Sequence, residues 1–108
     1  MAGLAEKKCT ACSGETEALR AEEIRLFEEK VRNWQVVDNH HIEKSFKFSD
    51  FQTALDFVNR VAEIAEEEDH HPDIYLAWGK VQVTLWTHKI GGLSENDFIL
   101  AAKIDKIS

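Results

Sequence analysis

Three of the five histidines fall where regular structure should end. His70 and His71 stand at the close of a long amphipathic segment, directly before Pro72, and His88 ends the last strand-like run. Imidazole has the side-chain pKa nearest neutrality, so a histidine held in a cleft can give or take a proton during turnover. Glu66 lies four residues before His70, and if the helix persists that far the two share a face. A carboxylate and the negative end of a helix dipole would both favour the protonated ring, which describes a general acid. The rival chemistry is zinc, which three histidines can hold. Against it, adjacent histidines rarely aim at one ion, and an H-x-x-x-H pairing is absent. The remaining pair, His40-His41, is accounted for by a polar turn. Asp97, three residues after Ser94, complements the dipole at a helix N-terminus. Trp86, a large aromatic close to His88, suits a flat heterocycle or a subunit interface.

The elements that must position these groups follow from periodicity. From about Glu15 to Asn33 the residues Leu19, Ile24, Phe27 and Val31 approximate helical spacing. Trp34 to Val37 and His41 to Phe48 form a hairpin across Asp38-Asn39-His40, with Ile42, Lys44, Phe46 and Phe48 on its buried face. Ser49-Asp50-Phe51-Gln52 fits a capping box with Ser49 at the N-cap. Phe51, Ala54, Leu55, Val58, Val61, Ala62 and Ala65 then make an apolar helical stripe, which Pro72 stops at or before His71. Ile74 to Trp78 and Lys80 to His88 form a second hairpin around Gly79. In its second arm Val81, Val83, Leu85 and Thr87 share one face. Gly91-Gly92 breaks the strand and Ser94 opens a last helix, with Leu93 and Phe98 as a hydrophobic staple. The order α-β-β-α-β-β-α predicts an α+β fold: a four-stranded antiparallel sheet with helices packed on one face.

At 108 residues, one domain over 15–108 is expected behind a flexible leader over 1–14. Thirteen basic against twenty acidic residues leave a net charge of −7, without the clustered cations that nucleic-acid binding needs. No apolar run approaches the ~18 residues of a membrane span, and the N-terminal stretch lacks the apolar core of a secretory signal. A soluble, cytoplasmic protein is therefore expected. Cys9 and Cys12 form a lone C-x-x-C. It has neither the second ligand pair of a zinc site nor the strand-helix setting of a thioredoxin motif. It reads as a mobile, reduced thiol pair with no catalytic part.

One combination is more specific. Glu66-Glu67-Glu68-Asp69-His70-His71-Pro72 is followed by Trp78, Val81-Gln82-Val83-Thr84-Leu85, Thr87-His88 and Gly91-Gly92-Leu93-Ser94-Glu95-Asn96-Asp97. This pattern resembles the pterin-4a-carbinolamine dehydratase family. Similarity runs back through Phe46-Lys47-Phe48-Ser49-Asp50-Phe51 and Trp34, and covers about residues 19–107. The resemblance implies a hydro-lyase that eliminates water from a 4a-hydroxytetrahydropterin to give quinonoid dihydropterin in tetrahydrobiopterin recycling. It implies His70, His71 and His88 as catalytic residues, and Glu66, Asp69, Trp86, Thr87, Lys89 and Asp97 as substrate-binding or supporting residues. It implies no metal or organic cofactor, a small-molecule pterin as partner, and a homodimer or homotetramer. The alternative it carries is a non-catalytic dimerisation partner, or transcriptional coactivator, on the same fold. The pterin side chain, and which histidine is acid and which base, stay open at this level.

Overall fold

The computed structural model describes residues 3–10 and 17–108. After a 3-10 turn at Leu4–Glu6 come α1 (Ala21–Glu28), β1 (Gln35–Val37), β2 (His41–Lys47), α2 (Phe51–Glu68), β3 (Asp73–Ala77) and β4 (Lys80–Leu85). A second 3-10 turn, His88–Ile90, and α3 (Glu95–Ile107) complete the chain. The strands form one antiparallel sheet in the order β1-β2-β4-β3. Both hairpins are thus joined through β2 and β4, whose register pairs Ile42 with Leu85 and Phe46 with Val81. Alternation decides what each face meets. Ile42, Phe46, Val81, Val83 and Leu85 are buried and share one cluster with Ala54, Phe57 and Val61 of α2 and Phe98, Ile99 and Ile104 of α3. Glu43, Ser45, Tyr75, Gln82 and Thr84, on the other face, keep contact with solvent. The expected α+β architecture is what the chain adopts.

Details differ from the sequence reading for local reasons. The first helix is much shorter than 15–33: Arg20 is extended and donates its N–H to Glu23 Oε1 at 3.0 Å, which starts the helix at Ala21. The cap of α2 is Asp50, not Ser49. Its carboxylate accepts from the Thr53 N–H at 2.8 Å, and that hydrogen bond holds the Asp50 pKa below the ordinary carboxylate value. The buried line of α2 is Ala54, Phe57, Val61 and Ala65. Phe57 packs on Phe46 and Phe48 with ring centroids 4.7 and 5.1 Å apart, whereas Phe51 and Ala62 of the expected stripe are exposed. A helix with apolar residues on more than one face shows its buried line only once the sheet is in place. β4 ends at Leu85, so Trp86 to His88 leave the strand.

The segment expected as a flexible leader is packed on α3 in its described part. Leu4 is buried in the core, Lys103 donates to the Ala5 carbonyl at 2.8 Å, and Lys7 and Lys106 pair with Glu95 and Glu6. These are tertiary contacts that local periodicity does not register. The rest of the leader, including Cys12, lies outside the described residues.

Lys44, on the buried face of β2, is reconciled with the core by Asp105. That carboxylate accepts from Lys44 Nζ at 2.8 Å, Trp34 Nε1 at 3.0 Å and the Arg32 N–H at 3.0 Å. Removing it strands a largely buried ammonium and an indole N–H. Asp105→Ala is therefore expected to cost about 2–4 kcal/mol of stability, read from the urea midpoint; an unchanged midpoint would contradict this packing.

Candidate active site

The site forms where the C-terminus of α2, the end of β4 and the N-terminus of α3 meet. α2 stops because Asp69 takes the left-handed conformation, φ 50° and ψ 40°, and Pro72 bars a further turn. His70 and His71 therefore lie beyond the helix rather than on its face. Past β4, Thr87 and Gly92 pair as an isolated bridge, with the Thr87 N–H donating to the Gly92 carbonyl at 2.8 Å. The bridge pinches off the loop that carries His88 and Lys89. Gly91 closes it at φ +64°, a conformation costly for residues with a Cβ.

Asp97 is fully buried and ties the pieces together. Its Oδ2 accepts from the Ser94 N–H and from Thr87 Oγ1, each at 2.9 Å. Its Oδ1 lies 2.6 Å from His70 Nε2. Since Thr87 donates to Asp97, the 2.7 Å contact between the Ser94 and Thr87 hydroxyls has Ser94 as donor. An ionised carboxylate only accepts, so His70 carries its proton on Nε2 and keeps Nδ1 for other work. His71 repeats the pattern in the open, its Nε2 2.6 Å from Glu66 Oε2 with both side chains more than half exposed. Sequence spacing alone pairs Glu66 with His70. The turn after Glu68 shifts the match by one residue.

His88 is placed by stacking. Its ring lies 3.9 Å from Trp86, centroid to centroid, at 27°. Trp86 is backed in turn by His40 at 4.5 Å, so the hairpin histidine read as a simple turn residue buttresses the site's aromatic wall. A pocket of about 290 Å³ gathers His70, His71, His88, Asp69, Trp86, Thr87 and Lys89, together with Thr10 and Asn96. Thus three imidazoles from two distant stretches of chain line one hollow. Glu66 and Asp97 stand behind the rings. The sequence reading did not include Thr10, Asn96 or the His40 buttress. Asn96 stood inside the quoted Ser94–Asp97 motif, while Thr10 carried no signal in a leader read as mobile. Among the described residues no group of three or more His, Cys, Asp and Glu side chains is arranged to hold a metal ion.

Comparison with known proteins decides the family. Residues 17–107 match the model described as pterin 4 alpha carbinolamine dehydratase. The chain belongs to that family, a family of hydro-lyases. A Rubrobacter xylanophilus relative, provisionally named a pterin-4-alpha-carbinolamine dehydratase, is 50% identical over 99% of this chain and 100% of its own length. A similarly named Rickettsia canadensis protein is 51% identical over 97% of each chain. The crystal structure of a transcriptional coactivator/pterin dehydratase from Brucella melitensis superposes with a TM-score of 0.79 at 39% identity, covering 84% of this chain and 98% of that one. No helix among the described residues is long and apolar enough to cross a membrane.

Cys9 lies beside this site without the character of a nucleophile. Burial, reinforced by the charges of Glu68 and Asp97, pushes its thiol up to about 12 from an ordinary 9.0. At neutral pH Cys9 is therefore a thiol and should react slowly with iodoacetamide in the folded protein, as mapped on labelled peptides. The raised pKa stabilises the fold fully below pH 9, and that contribution is lost as pH rises toward 12. Wild type should accordingly lose more stability than Cys9→Ser across that window. Rapid labelling at neutral pH, or equal losses, would contradict the buried setting.

Proposed function

We propose that this chain is a 4a-hydroxytetrahydropterin dehydratase acting in the cytoplasm by histidine acid/base catalysis. The observation that carries the reading is the convergence of His70, His71 and His88 on one pocket, with two of the rings held through Nε2 by carboxylates. The pocket volume, near the lower end of the roughly 300–1,000 Å³ usual for ligand sites, suits a flat bicyclic compound better than a polymer.

Dehydration of the carbinolamine breaks the bond between C4a and its hydroxyl. One proton goes to the departing oxygen, which leaves as water, and one proton comes off N5 as the N5–C4a double bond forms. The proton count is unchanged, and nothing is oxidised or reduced. His70 and His88 take the acid and base roles, and His70 would act through Nδ1. His71 orients the pterin by hydrogen bonding. Asp97 and Glu66 hold their imidazoles in the working tautomer. Trp86 borders the pocket and steadies the His88 ring by stacking, Asp69 and Lys89 offer polar contacts at the rim, and Thr87 supports Asp97 from inside the pocket.

A coactivator role without catalysis would leave the histidines dispensable, and the carboxylate grip on two of them favours the enzyme. Self-association into a dimer or tetramer fits the same proposal. β3 is an outer strand of the sheet, and Tyr75 and Trp78 beside that edge are 61% and 67% exposed. Sedimentation at micromolar concentration should therefore find no stable monomer.

A positioned acid or base typically contributes ~10²–10⁴ in rate. His70→Ala and His88→Ala should thus lower kcat for a synthetic 4a-hydroxytetrahydropterin by about 10²-fold or more, and His71→Ala should mainly raise KM. Near wild-type turnover in all three would sink the assignment. The supporting carboxylates should separate by burial: Asp97→Asn should lose about tenfold or more, and exposed Glu66→Gln about threefold or less. Equal effects would contradict the proposed division of labour. Because the elimination needs no redox or metal chemistry, a chelator should leave the rate unchanged, and sensitivity to it would restore the zinc reading.

A further inference from the structure

The leader contributes to the pocket as well as to the fold. Thr10 lines the hollow beside the three histidines, and Asn96 fastens it there. The Asn96 carboxamide accepts from the Thr10 N–H through Oδ1 at 3.0 Å and donates through Nδ2 to the Thr10 carbonyl at 2.6 Å. Gripping both polar groups of one peptide residue fixes its position and its rotation together. The grip is sheltered, since Asn96 is only 5% exposed. It is reinforced one residue earlier, where the Cys9 N–H donates at 2.7 Å to Oε1 of Glu68, a nearly buried carboxylate that also faces Lys103 at 3.8 Å. Further back, Leu4 sits in the core. The described part of the segment is thus anchored at Leu4, Cys9 and Thr10, and Thr10 reaches the pocket. Asn96 also adjoins Asp97 on the first turn of α3, so the residue holding the leader and the residue holding His70 share one mount.

The family match begins at residue 17, beyond the whole described leader, whereas the Rubrobacter relative aligns over 99% of the chain.

We propose that Thr10, brought in from the N-terminal stretch, is part of the substrate site as a wall against which the pterin packs, with Asn96 the positioning residue that holds it. This rests on the dehydratase reading above. Its mark is a binding effect without a chemical one, because neither residue takes part in proton transfer.

The test uses the full-length chain with Thr10→Trp and Asn96→Ala. Steady-state dehydration kinetics give KM and kcat, and calorimetric titration with a stable dihydropterin gives Kd. Both variants should raise KM and Kd by about five- to tenfold, the factor expected for loss of one good contact, with kcat within about twofold of wild type. Unchanged KM and Kd would overturn the proposal. So would a fall in kcat at constant KM, which would mean that the pair merely props Asp97. Thr10 is exposed, so Thr10→Trp leaves the core intact and decides the matter alone should Asn96→Ala fail to fold. An inactive wild type that binds no dihydropterin overturns the dehydratase reading and this proposal with it. An active wild type with indifferent variants overturns this proposal alone.

Discussion

A carboxylate removed from water is costly unless hydrogen-bond donors answer both of its oxygens. Asp97 meets that condition with a backbone N–H, a threonine hydroxyl and an imidazole N–H, and in doing so it joins three parts of the chain. The Ser94 amide belongs to the cap of α3, Thr87 to the exit from β4, and His70 to the exit from α2. Each donor that stabilises the buried charge also fixes the position of an element it belongs to. The first turn of α3 is consequently the fixed point of the site. Charge-assisted hydrogen bonds of this kind are stronger than neutral ones, which suits a group that must hold a ring in one tautomer.

The same turn carries a second responsibility through Asn96, one residue before Asp97. By clasping Thr10 it brings in a segment nearly ninety residues away in sequence, and the site becomes a meeting of the leader, α2, β4 and α3. His88 answers to a different constraint, stacking on Trp86, which His40 supports from the first hairpin. One ring is thus held by charge and another by aromatic contact.

Much of this was legible in the residues. Alternation in β2 and β4 identified the buried face, including Lys44, whose presence there is explained only by Asp105 arriving from α3. The staple of Leu93 and Phe98 is buried as expected, and Pro72 marked the end of α2 correctly. The histidine trio could be named but not brought together, since convergence depends on the turn at Asp69 and on the Thr87–Gly92 bridge. The swap of partners, Glu66 to His71 and Asp97 to His70, turned on a left-handed residue that sequence spacing does not reveal. The packing of the described leader residues on α3 was not legible, because a short polar stretch with one apolar anchor carries no periodic signal. That packing rests on long-range hydrogen bonds that join Ala5 and Thr10 to α3.

The proposed catalysis requires that Asp97 hold His70 through Nε2 and leave Nδ1 to serve the pterin. Long-range proton–nitrogen NMR correlations of the imidazoles test this directly. The prediction is that His70 carries its proton on Nε2 in the free protein, and that its Nδ1 resonance moves on addition of a stable dihydropterin. A proton on Nδ1, or a His70 ring indifferent to saturating pterin, would contradict it.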